Sequence, residues 1–83
     1  VVHSYNKSQV LVLIYKEITE RGLFYMSDIM KKYGISNRTY RRYLSDLEGL
    51  GLKLQRERFG SEVVEVDGEG LPVYDQKVVL ITT

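Results

Sequence analysis

The hydrophobic period of this chain changes at Leu52. Before that residue, apolar side chains recur every three to four positions. After it, short runs rich in β-formers are separated by turn-forming residues. Such a switch predicts an α+β domain, helices first and antiparallel strands after. With 83 residues the chain is long enough for one core and too short for two.

The helical part resolves into three pieces. Residues 8–21 carry Leu11, Ile14, Tyr15 and Ile18 at i, i+3, i+4 and i+7, a stripe widened by Val10 and Leu13. Ser8 is the expected N-cap and Gly22 the expected stop. A short apolar link, Leu23-Phe24-Tyr25-Met26, can form a single strand before a second helix over 27–33. Ser27 is placed to cap that helix, and Asp28 to complement the positive end of its dipole. Gly34 then permits a left-handed turn, Ile35 can plug the space between two helices, and Ser36 caps a third helix over 36–50. Tyr40, Leu44, Leu47 and Leu50 line one face of that helix, and Tyr15, Tyr33 and Tyr40 lie at core spacing. Beyond Leu52, segments rich in β-formers lie near 53–58, 62–66, 71–74 and 77–82, with turns at 59–61, 67–70 and 75–76, and predict two or three antiparallel strands.

A capped short helix, a glycine turn, an apolar plug and a second capped helix meet the physical requirement of a helix-turn-helix. In that device the first helix braces the second for the major groove of DNA. Three helices followed by a hairpin is the winged-helix order. The chain is therefore expected to be a single winged helix-turn-helix domain over residues 1–83. The helix-turn-helix and wing base occupy 8–58, and an extended, acidic antiparallel hairpin occupies 59–83.

Net charge is only +1, but its distribution is lopsided. Residues 1–58 hold eleven Lys and Arg against six acids, whereas residues 59–83 hold one Lys against five. Segregated surface charge alone explains this as well as a polyanion partner does. Position sharpens the reading. Asn37, Arg38, Arg41 and Arg42 fall away from the apolar stripe in the first two turns of the third helix, where recognition helices meet base edges and phosphates. The arginine fork pairs with guanine or with phosphate oxygens, and an asparagine there can read adenine. The amides behind Ser36 can receive a phosphate, and the Tyr43 hydroxyl can donate to one. Lys53, Arg56 and Arg58 sit at the wing entry, within reach of flanking phosphates. The plainer alternative pairs Arg41 or Arg42 with Asp46 or Glu48 on a solvated face.

The segment Ile35-Ser36-Asn37-Arg38-Thr39-Tyr40-Arg41-Arg42-Tyr43-Leu44-Ser45-Asp46-Leu47-Glu48 resembles the recognition segment of DeoR-type bacterial repressors and of the N-terminal domains of WYL-domain transcriptional regulators. The pattern there is roughly Val-Ser-x-Arg-Thr-Ile-x-Arg-Asp-Leu-x-x-Leu-Glu, with a Gly shortly after. Ser36, Arg38, Thr39, Arg42, Leu44, Leu47, Glu48 and Gly51 match it. Tyr40 and Tyr43 stand where the pattern has Ile and Asp, Met30 occupies a position that is usually a small Ala, and the region from Phe59 onward departs from the family's short wing. The resemblance implies that Arg38, Thr39, Arg41 and Arg42 carry DNA contacts, and that the function is transcriptional regulation.

Other chemistries find little to work with. There is no cysteine, and His3 is the sole histidine, so a thiolate or histidine-rich zinc site is excluded. Gly68-Glu69-Gly70 lacks the Lys-Ser/Thr that completes a phosphate-binding loop. No Ser/His/Asp constellation is available, so neither an enzyme nor a cofactor is expected. The apolar run over residues 10–15 falls far short of the ~20 residues that span a bilayer. The first residues lack the basic-then-apolar pattern of a signal peptide. A cytoplasmic location is expected, with double-stranded DNA as partner. The chain is further expected to act as a homodimer or within a larger chain, since one recognition helix reads only a few base pairs. The alternative is a winged-helix module for protein–protein assembly, docking through the acidic hairpin.

Overall fold

The computed structural model describes residues 6–81. They form three helices and three strands in the order α1 (Lys7–Arg21), β1 (Leu23–Tyr25), α2 (Met26–Tyr33), α3 (Asn37–Gly49), β2 (Leu54–Val66) and β3 (Pro72–Leu80). The strands make one antiparallel sheet in the spatial order β1-β3-β2. The last strand thus lies in the middle, with Val78 paired to Phe24 on one side and to Arg56 on the other. His3 and Thr82, which entered the sequence reading, lie outside the described residues.

Helix bounds fall within one residue of expectation, but two caps differ. Asn6, not Ser8, caps α1: its side-chain oxygen accepts from the Gln9 amide (2.9 Å), while Gln9 Oε1 accepts from the Asn6 amide (3.1 Å). This reciprocal box satisfies two free donors at once, and Ser8 is left inside the first turn. Ser27 is not a cap either, because α2 begins one residue earlier at Met26. The Ser27 amide and hydroxyl both donate to the carboxylate of Asp75, at 2.9 and 2.6 Å. A residue of β3 therefore serves the start of α2, where negative charge also complements the helix dipole.

The second half forms two strands, the lower of the two numbers expected, and the four β-forming segments merge into them. Residues 59–61 form no turn but belong to β2, which runs for 13 residues. Its register steps from Arg58↔Gln76 to Val63↔Tyr74, so residues 59–62 oppose Asp75 alone. Gly60 takes φ +77° inside this bulge, a conformation that strains any other residue. Residues 75–76 likewise continue β3 rather than turning. The one true turn lies at 67–70, where Asp67 Oδ1 accepts from the amides of Glu69 and Leu71, both at 2.9 Å.

The core lies between the helices and the helix-facing side of the sheet. Val10, Ile14 and Ile18 of α1 meet Phe24, Met26, Ile29, Tyr40, Tyr43, Leu44, Leu47 and Val78. Tyr40 is buried against the edge of the Phe24 ring, and its hydroxyl donates to Gln76 Oε1 at 2.9 Å. Burial pushes its pKa well above the usual tyrosine value, because the phenolate would lose its water. Tyr33 and Ile35 are half-buried and pack on the core. Tyr15 does not: Val10, Ile14 and Ile18 select a face about 100° away from it, and its ring stays in solvent.

Candidate nucleic-acid interface

The turn between α2 and α3 determines what α3 can present. Gly34 ends α2 with φ +62°, and the amides of Gly34 and Ile35 both donate to the Met30 carbonyl. That closure satisfies the carbonyl and turns the chain sharply enough for Ser36 to start the next helix. Ser36 Oγ accepts from the Thr39 amide at 3.2 Å and donates to Thr39 Oγ1 at 3.1 Å.

From that start, the buried positions of α3 are Asn37, Tyr40, Tyr43, Leu44 and Leu47. At 100° per residue, Arg38, Arg41, Arg42 and Ser45 share the opposite face, and all four are exposed. Among the described residues, none of the three arginines has an ion-pair or hydrogen-bond partner. Of Asp46 and Glu48, the two acids that the plainer alternative offers to Arg41 or Arg42, Glu48 meets Arg56 of β2 instead, and neither is paired with an α3 arginine among the described residues. Arg38 thus lies three residues from Arg41 and four from Arg42, a like-charge grouping that raises the energy of the helix by tenths of a kcal/mol per pair, roughly. An anion on this face relieves that repulsion. Lys53 and Lys31 are also exposed and without a partner among the described residues, and Lys31 lies in the last turn of α2.

Two expected contact residues are corrected. Asn37 is 6% exposed and its amide nitrogen donates to the Met26 sulfur at 3.1 Å, so it cannot read adenine from this position. Tyr43 is 5% exposed and belongs to the core, so its ring faces away from any phosphate on the arginine face. Both placements follow from spacing: Asn37 extends the Tyr40–Leu44–Leu47 stripe back one turn, and Tyr43 lies three after Tyr40 and four before Leu47.

At the start of the hairpin, Lys53 is exposed, whereas Arg56 is tied to Glu48, and Arg58 lies over the Tyr74 ring with its guanidinium carbon 3.9 Å from the centroid. Ser36, Arg38, Thr39, Arg41 and Arg42 thus form one contiguous group on the first two turns of α3. Lys53 follows that helix, and Arg56 and Arg58 are engaged within the fold. Sequence reasoning missed Lys31 as a free cation and Asp75 as the support of α2. The second had no local signal, since its partner is 48 residues away.

Other chemistry is thinly represented. Among the described residues, no group of three or more His, Asp or Glu is placed to hold a metal ion. None of the described helices is long and apolar enough to cross a membrane. No protein-family model, curated protein or solved structure matches the chain.

Proposed function

We propose that this chain is a winged helix-turn-helix domain that binds double-stranded DNA sequence-specifically, as the DNA-binding part of a transcriptional regulator. The observation that carries the reading is the outer face of α3: three arginines in its first two turns, none neutralised by a carboxylate among the described residues. Guanidinium groups so placed suit guanine edges and phosphate oxygens. The element order with the last strand central, and the capped glycine turn before α3, support the winged-helix part of the reading. So does the resemblance of residues 35–48 to the recognition segment of DeoR-type repressors.

The test is a fluorescence-anisotropy titration against mixed-sequence duplex at two salt concentrations. Binding should weaken steeply with salt as condensed counterions are displaced. Arg41→Ala and Arg42→Ala should each lower affinity, by about 1–3 kcal/mol where the side chain reads a base. Parental affinity in both variants would overturn the reading and favour protein–protein assembly. That alternative has one observation in its favour, the apolar Val63, Val66 and Leu71 exposed along the acidic hairpin.

A further inference from the structure

Residues 8–15 of α1 carry no charge, and residues 10–15 are apolar without interruption. A helix that is apolar on every side is normally covered on every side. Among the described residues, the domain buries Val10 and Ile14 fully and Leu11 and Leu13 in part. By contrast, Val12 is 64% exposed and Tyr15 40% exposed. Leu50, just past the end of α3, is 63% exposed beside them, and a shallow depression of about 340 Å³ is lined by Leu11, Val12, Tyr15 and Leu50. A second depression, lined by Ser8, Gln9, Val12 and Leu13, adjoins it through Val12.

We propose that this face is covered by the same face of a second copy of the chain, in a two-fold symmetric dimer built on α1 and Leu50. A symmetric contact sets a patch against itself, so any net charge on it would be doubled and repelled. Among the described residues none of the side chains lining the two depressions is charged, and Lys16, exposed one turn after Val12, borders the patch, where its flexible stem can carry the ammonium into water. The area is sufficient but not generous. Two helices of this length, with Leu50 from each copy, remove on the order of 1,000 Å² from water, near the lower bound for specific interfaces. Association in the micromolar range is the expected result. The face also leaves the arginines open, since Leu50 lies eight residues beyond Arg42, about 12 Å along the helix. That such a dimer offers two α3 helices to one duplex rests on the DNA reading above; the pairing itself does not.

Sedimentation velocity on the full chain without DNA, from about 1 to several hundred micromolar, is the decisive measurement. The parent should pass from monomer to dimer across that range. Val12→Glu and Leu50→Lys, both at exposed positions and therefore compatible with the fold, should weaken self-association by at least about tenfold. Circular-dichroism melts close to the parent would show that the variants remain folded. Binding to a duplex long enough for a single copy should be unchanged in both. A parent that stays monomeric throughout overturns the inference, as does undiminished dimerisation in both folded variants. Dimerisation that is lost in the variants, in a chain that never binds DNA, would uphold this inference while removing the DNA reading.

Discussion

The outer face of α3 and the β2–β3 hairpin are both rich in charge, yet they hold it differently. In the hairpin, Arg56 meets Glu48, Arg58 lies over Tyr74, Lys77 approaches Glu57 at 4.0 Å, Asp67 builds the tip and Asp75 supports α2. On α3, the three arginines have no such partner among the described residues. Most hairpin charges near the helices are therefore explained by folding alone. The α3 charges are not explained by folding and slightly oppose it, which is the mark expected of residues kept for a partner.

The sharpest way to break this contrast uses two neighbours. Tyr43→Ala should destabilise the domain by about 3–5 kcal/mol, because a buried ring leaves a cavity. Arg42→Ala, one residue earlier, should change stability by less than about 0.5 kcal/mol. Chemical denaturation of both variants measures the difference, and similar losses would mean that α3 is not two-sided as described. Next in size is Asp75→Ala, which removes the acceptor for two donors of Ser27 at the start of α2. A loss of about 1–3 kcal/mol is expected, measured in the same way. A neutral result would show that the hairpin carboxylate does not support the helix.

The contact between the buried face of α3 and the hairpin can also be probed with pH, through Tyr40 and its bond to Gln76. Tyr40 has a raised pKa in the folded state, so its contribution to stability is complete below about pH 10 and is lost as pH rises toward the folded value. The unfolded tyrosine ionises first, and stability should fall by about 1.4 kcal/mol per pH unit from this group alone. Tyr40→Phe lacks that dependence. Thermal melts of parent and variant between pH 9 and 11 should show the shallower decline in the variant. The smallest effect is expected from Glu65→Gln with Glu69→Gln, two carboxylates without side-chain partners among the described residues. DNA affinity should stay within about 0.5 kcal/mol of the parent or rise slightly, as long-range repulsion beyond a Debye length of about 8 Å is weak. A clear loss would place the acidic hairpin against the duplex.

Local chemistry was legible in the sequence where a residue's neighbours decide its role. Ser36 and Gly34 act where the spacing put them, and the helix bounds follow the apolar period closely. The strand pattern was less legible, because Phe59-Gly60-Ser61 and Asp75 have turn composition but sit as a bulge within strands whose flanking residues, Arg58 with Gln76 and Val63 with Tyr74, pair across the hairpin. The candidate site divided the same way. Arg38, Arg41 and Arg42 fall on the face that helical geometry assigns them, whereas Asn37 and Tyr43 were judged by their polar groups although their spacing already put them on the core side. Long-range partners such as Glu48 for Arg56, or Asp75 for Ser27, leave no trace in a local window.

The bulge at residues 59–62 has a consequence beyond the shape of the hairpin. With β3 central, β2 offers its outer backbone amides and carbonyls to water along 13 residues that include Val63, Val64 and Val66. A flat edge of that length is a template on which another chain can add and aggregation can begin. The inserted residues interrupt the repeat near its middle, so that neither remaining stretch is long and both are twisted out of line. Irregularity here acts as protection against edge-to-edge pairing, and the second register shift, between Val63 and Glu65, adds to it.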